Sequence, residues 1–136
     1  MRMLTYQARH FAWQPSHKTV DDAPEVSDGG EAHDAVVAWI HTEVKDAADD
    51  ARVFRHCLKH IKWIANKREM KTVVLHFFAH LGGDGSEPAY ARAFIDRLAE
   101  RLRKTGYTVF TTPFGYFCAW QLDVYGDSLA KVYKSI

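Results

Sequence analysis

Hydrophobic and polar positions divide this chain of 136 residues into strand-like and helix-like stretches. Residues 1–8 and 10–20 read as two strands joined by a short turn. Pro15 marks the second as an edge strand or a bulge, because proline has no N–H to give a ladder. Residues 21–33 are acidic and rich in Asp, Pro and Gly, which predicts a loop. Ala35-Val36-Val37-Ala38-Trp39-Ile40 is a strand core, continued by His41-Thr42-Glu43-Val44. From about Ala47 to Asn66 the period changes. Phe54, Cys57, Leu58, Ile61, Ile64 and Ala65 recur at helical spacing and form one apolar face. Arg52, His56, Lys59, His60, Lys62 and Lys67 make the outer side basic. Residues 71–80 form a buried strand, Val73-Val74-Leu75-His76-Phe77-Phe78-Ala79-His80. Residues 87–104 form a second helix with Ala91, Phe94, Ile95, Leu98 and Leu102 inward. Ser86 suits its N-cap, Pro88 its first turn and Gly106 its C′ position. Tyr107 to Thr112 and Tyr116 to Tyr125 are strands, and a short helix around Ser128–Lys134 closes the chain.

The resulting order, β-β-β-α-β-α-β-β-α, predicts an α/β (α+β) fold in a single domain, residues 1–136. A mixed β-sheet carries two long packed helices and a short C-terminal helix. Each parallel strand pair needs a crossover, and each long helix can supply one.

Composition narrows the function classes only a little. Apolar residues make up 47% and charged residues 26% of the chain, as in an ordinary globular protein. The formal net charge of +1 does not announce a nucleic-acid binder, although a local basic patch remains compatible with it. No run of apolar residues is long enough for a membrane span. The N-terminal residues lack the apolar core of a signal peptide, so the expected location is cytoplasmic. Cys57 and Cys118 fall in different elements and read as free thiols.

The candidate chemistry gathers around two segments. Strand alternation places His76, Phe78 and His80 on one face, with His80 at the carboxyl end. Glycine-rich Gly82-Gly83-Asp84-Gly85 and a helix start follow, and ligands of open α/β sheets bind at such places. His80 is therefore a candidate to face a ligand; the structural alternative is a polar strand end bonded to a carbonyl. The glycine loop matches no nucleotide-binding pattern, so its role is either close approach to a ligand or a tight turn. The second segment is Pro113-Phe114-Gly115-Tyr116-Phe117-Cys118-Ala119-Trp120. No local base signature marks Cys118 as a nucleophile. Its aromatic neighbours suit a core, though one exposed ring can stack on adenine. His56 and His60 stand four apart on a helix, but their basic neighbours disfavour a cation.

These segments carry a family resemblance. Phe78-Ala79-His80-Leu81 and Pro113-Phe114-Gly115-Tyr116 resemble the two signature segments of the archaeal-type threonyl-tRNA synthetase editing domain. The likeness extends to the Met1-Arg2-Met3-Leu4 start, the Val36–Ile40 strand, the order of elements and Leu129-Ala130. It covers nearly the whole chain. The resemblance implies a D-aminoacyl-tRNA deacylase-like fold, usually a homodimer. It implies hydrolysis of serine wrongly esterified to threonine tRNA, with related activity on D-aminoacyl esters. The aminoacylated 3′ end of tRNA is then the partner, its terminal ribose hydroxyl assists, and no metal or organic cofactor is needed.

This chain departs from the family pattern at charged positions. Where the family continues Tyr-Lys after Phe-Gly-Tyr, Phe117 and Cys118 stand here; where it commonly has Glu after Leu-Ala, Lys131 stands here. Its first strand often ends His-Ser-Asp, against Gln7-Ala8-Arg9 here. The expected catalytic set is His80, Lys131 and Cys118. Phe78, Ala79, Gly82, Gly83, Pro113, Phe114, Gly115, Tyr116 and Phe117 are expected to bind substrate. His80 should lie near Cys118 and the start of the 87–104 helix. Lys131 either comes close enough to Cys118 to replace the missing cation or is a solvent-exposed lysine on the terminal helix. The alternatives are a non-catalytic RNA- or small-ligand-binding homologue and a D-aminoacyl-tRNA deacylase with no threonine link.

Overall fold

The computed structural model describes residues 1–136. Its elements are β1 (Arg2–Lys18), β2 (Gly30–His41), α1 (Asp50–Asn66), β3 (Thr72–Phe77), α2 (Pro88–Lys104), β4 (Thr108–Thr111), β5 (Tyr116–Val124) and β6 (Lys131–Ser135). The sheet order is β4-β3-β2-β1-β5, with β6 also on β1. The β2–β3 and β3–β4 pairs are parallel, and α1 and α2 are their crossovers. The remaining pairs are antiparallel. This is the mixed, two-helix, D-aminoacyl-tRNA deacylase-like architecture that the sequence implied. No helix is long and apolar enough to cross a membrane.

Several boundaries differ from the sequence reading. β3 ends at Phe77, so Phe78 lies just past it and Ala79 and His80 are exposed in a turn instead of completing a buried strand. β2 begins at Gly30, inside the stretch read as an acidic loop. Three further differences have a clear local reason. The two N-terminal strands are one strand, β1. A register shift against β5 between Ala8 and His10 absorbs the irregularity that reads as a turn, and Asp34 on β2 takes a left-handed backbone (φ 48°) beside it. A second shift, between Pro15 and His17, falls at the expected proline bulge. The C-terminal helix is only a 3₁₀ turn, Ser128–Ala130. The residues after it form β6, which pairs with Arg2–Tyr6 of β1. A five-residue strand and a short amphipathic helix leave nearly the same trace in sequence. Glu87, not Ser86, occupies the N-cap of α2. The Ser86 hydroxyl is instead bonded to the Thr42 hydroxyl, at 2.6 Å.

Both helices lie on one face of the sheet. Val53, Cys57, Ile61 and Ile64 of α1 and Phe94, Leu98 and Leu102 of α2 are buried against Met3, Val36, Ala38, Ile40, Val73 and Leu75. His60 is not on the basic outer side. It is buried, with Nε2 3.1 Å from the Thr5 hydroxyl, and burial holds its pKa below the ordinary histidine value. Cys57 and Cys118 are free thiols, as expected, and burial pushes the Cys57 thiol well up. The opposite face of the sheet has no helix. A smaller cluster of Ala8, Phe11, Trp13, Ala32, Ala35, Val37 and Val74 lies there.

The turn between β2 and α1 holds a buried ion network. The Met1 ammonium donates to Glu43 at 2.5 Å and to Asp46 at 2.7 Å, and Arg2 donates to the other Glu43 oxygen at 3.0 Å. Burial by itself would raise the Glu43 pKa. The hydrogen bonds from the ammonium and Arg2 outweigh it and hold the carboxyl down to about 2. A depressed carboxyl stabilises the fold above its unfolded value, about 4.3. That contribution disappears as pH falls through about 2. Glu43→Gln should therefore cost on the order of 3 kcal/mol at neutral pH. In chemical denaturation it should also flatten the acid limb of stability between about pH 5 and 2. A variant as stable as the parent at pH 7, with an unchanged acid limb, would show that the network contributes nothing.

Candidate functional site

The helix-free face forms a cleft. Its floor starts from β3, where alternation turns Val73 and Leu75 toward the helices and His76 away from them. Phe78, just past the strand end, lies 6.2 Å from the His76 ring. β5 closes over this row from the far edge of the sheet. The Trp120 ring stacks on Trp39 of β2 (4.5 Å between centroids) and meets His76 edge-on (5.1 Å) and Phe78 (5.9 Å). Trp13 of β1 also approaches Phe110 of β4, at 6.2 Å, so the sheet curls toward itself. Residues 112–115 bridge the two edges. Gly115 makes the turn with φ +83°, and a Cβ there would lie 3.0 Å from Ala23. The Tyr116 hydroxyl fastens the acidic loop by donating to the Pro24 carbonyl and accepting from the Val26 N–H.

The cavity holds about 340 Å³. Phe78, Ala79 and His80 line one wall, and Pro113, Phe114, Gly115, Tyr116, Phe117 and Cys118 line the other. His80 and Cys118 are thus brought to one cleft, as expected. The start of α2 is not part of it; Pro88, Ala89 and Arg92 line a neighbouring hollow that shares Phe114. The Arg92 guanidinium lies 5.4 Å from the centre of the Phe114 ring. Phe117 is 58% exposed and offers a free aromatic face at the rim.

The structure places three expected participants, Lys131, Gly82 and Gly83, elsewhere. Lys131 pairs with Tyr6 on β1, whereas Cys118 pairs with Pro15. Nine residues of strand separate those partners, roughly 25–30 Å. Within one chain the Lys131 ammonium therefore cannot reach Cys118; it donates to the Tyr125 carbonyl. Gly82 and Gly83 also lie outside the cleft. A Cβ on Gly82 would meet Arg2 at 2.6 Å, and one on Gly83 would meet Glu43 at 2.5 Å. Their close approach is to the protein's own ion network. The loop is tied down by Leu81 N–H donating to His41 Nδ1 and by Ser86 N–H donating to the Thr42 carbonyl.

No Lys, Arg, Asp or Glu lines the cleft. Burial raises the Cys118 thiol pKa, the opposite of what an activated nucleophile needs. His76 sits at the back, with Nδ1 2.7 Å from the Thr112 hydroxyl, and burial lowers its pKa to about 4. It is neutral at physiological pH. Local spacing places His76 on the strand face of the cleft and reads Trp120 as a core ring, but does not bring the two together. Their part depends on contacts between β3 and β5, which local spacing does not report.

With this geometry in view, comparison with known proteins is informative. Residues 1–136 match the family described as the Archaea-specific editing domain of threonyl-tRNA synthetase, and the chain belongs to that family. The Threonine--tRNA ligase of Staphylothermus marinus is 32% identical over 138 residues, covering all of this chain and 22% of the relative. Those of Thermococcus kodakarensis and Pyrococcus furiosus are 27% and 26% identical over 139 residues, with the same coverage. The chain thus spans about a fifth of the length of these relatives. Among solved structures, the c-Myc DNA Unwinding Element Binding Protein superposes with a TM-score of 0.68 at 12% identity, over 100% of this chain and 99% of that one. That likeness concerns the fold.

The environment of His76 yields a direct test. Its ring proton shifts in NMR should stay constant from neutral pH to about 5 and titrate near 4. Between about 6.5, the unfolded value, and that midpoint, the unfolded chain holds the extra proton. Stability should therefore decline as pH falls through this window. A His76 midpoint near 6.5 would contradict the buried, neutral assignment.

Proposed function

We propose that this chain is an aminoacyl-tRNA editing deacylase of the cytoplasm. It hydrolyses serine wrongly esterified to threonine tRNA, or a related aminoacyl ester. The observation that carries this reading is the meeting of both signature segments, Phe78-Ala79-His80 and Pro113-Phe114-Gly115-Tyr116, across one cleft. The cleft is largely apolar and free of formal charge, which suits a small aminoacyl group on a ribose more than a phosphate. In the proposed complex, adenine stacks on an exposed ring such as Phe117, and His80 orients the ester or the attacking water. The absence of a lining cation or carboxylate agrees with chemistry that leans on the substrate's own ribose hydroxyl.

The same absence favours a second reading, a non-catalytic homologue that binds the aminoacylated end or another small ligand in this cleft. Cys118 stands where the family resemblance expects an ammonium, and a raised thiol pKa gives the site no replacement charge. Oxyanion stabilisation by such a group is typically worth on the order of 3 kcal/mol. We further propose a two-fold homodimer burying more than about 1,000 Å² in total, which light scattering at micromolar concentration will test.

A panel of L-seryl-, L-threonyl- and D-aminoacyl-tRNAs separates the readings. Editing predicts turnover of the seryl ester, with L-threonyl-tRNA spared. His80→Ala should lower it at least about tenfold, more than 1.4 kcal/mol in the barrier, with the fold intact by circular dichroism. Lys131→Ala should leave turnover unchanged, given its place on β6. Hydrolysis of D-aminoacyl esters alone would point to a D-aminoacyl-tRNA deacylase, and binding without turnover to the second reading.

A further inference from the structure

We propose that His10, Glu31 and His33 form a binding site for a borderline-soft divalent cation of the Zn²⁺ type. It lies away from the cleft, on the β1–β2 hairpin. His10 and His33 are directly opposite each other in the ladder, and their rings lie 4.8 Å apart. Glu31 is two residues before His33 on β2, so it projects from the same face. Its carboxylate spans both imidazoles: one oxygen is 2.8 Å from His10 Nε2, the other 3.8 Å from His33 Nε2. The ligand atoms of all three residues lie within 4.8 Å of one another.

The donor chemistry fits one class of ion. Zinc takes imidazole nitrogen and carboxylate oxygen at about 2.0–2.2 Å, and two histidines with one carboxylate leave its fourth position to water. In a tetrahedron of that size the ligand atoms are about 3.3–3.5 Å apart, so side-chain adjustment of roughly 1 Å closes the present cluster. Hard cations such as Mg²⁺ and Ca²⁺ prefer oxygen-rich sites and gain little from two imidazoles. An exposed glutamate such as Glu31 supplies an ionised carboxylate at neutral pH. Asp123 of β5 pairs with His10 in the ladder. Its oxygens are held by Arg9 at 3.0 Å and 3.3 Å, so it is not among the ligands and its charge is balanced.

The position explains what a bound ion would do. The ladder skips the Arg9–Asp34 rung immediately before the His10–His33 pair. Beyond that step, β1 carries Trp13 and Pro15, which pair with Trp120 and Cys118 of the cleft wall. A cation bridging β1 and β2 there would cross-link the hairpin beside its irregular step and stiffen the arm supporting β5.

The test uses the full chain without an affinity tag, stripped with chelator and titrated with Zn²⁺ near neutral pH by calorimetry. Binding at one ion per chain with micromolar affinity is expected, with a raised melting temperature. His33, 67% exposed, is the safe substitution for folding. His33→Ala should lower affinity at least about tenfold and remove the melting shift. His17→Ala and His56→Ala should change neither. No Zn²⁺ binding at sub-millimolar concentration would overturn the proposal. So would His33→Ala binding like the parent, or Mg²⁺ competing on equal terms.

Discussion

The length of β1 is the constraint on which the rest of this structure depends. One strand of 17 residues pairs with β2 along one edge and with two strands in succession along the other. Its first residues take β6, and the residues from Ala8 onward take β5. A straight strand would carry β5 away in the plane of the sheet. The register shifts at Ala8/His10 and Pro15/His17 increase local twist and bend. That bend is what allows Trp120 to reach Trp39, His76 and Phe78 across the helix-free face. The cleft is thus a consequence of curvature, closed by aromatic contact between strands distant in sequence.

The segment that follows β3 illustrates how the fold separates structural from chemical duties. The glycine loop after His80 is bound to Arg2, Glu43 and His41 and serves to anchor the β2–α1 turn. The residues just before it, Phe78 to His80, remain free to line the cavity. Charge is concentrated in the ion network and on the helix surfaces, while the cavity wall is apolar and uncharged. Any chemistry in the cavity relies on orientation, neutral hydrogen bonding and the substrate's own groups.

Much of this was legible in the amino-acid sequence where the signal is periodic. The inward faces of α1 and α2 and the buried β3 strand as far as Phe77 follow from local spacing. The alternation read through Phe78 to His80 does not hold, because the strand ends and His76 to His80 line the cavity in succession. The wall from Pro113 to Cys118 followed from family resemblance. What local pattern did not carry was pairing. Lys131 looked close to Cys118 because family motifs mark both positions; strand register puts them at opposite ends of β1. His60 looked solvated because its neighbours are basic, yet one turn of helix geometry buries it on Thr5. His10, Glu31 and His33 meet across a hairpin, which sequence spacing does not report; the spacing singled out only the helical pair His56 and His60, whose basic neighbours disfavour a cation.

The central claim is that the curled, uncharged cleft receives the aminoacylated adenosine end of tRNA. The most direct measurement is amide chemical-shift mapping with a non-hydrolysable seryl-3′-amino-adenosine analogue. The account predicts saturable shifts concentrated at Phe78 to His80, Gly115 to Cys118 and Trp120, with the Gly82–Gly85 loop and Lys131 unmoved. Saturable shifts centred on that loop or on β6, or no binding at millimolar analogue, would contradict it.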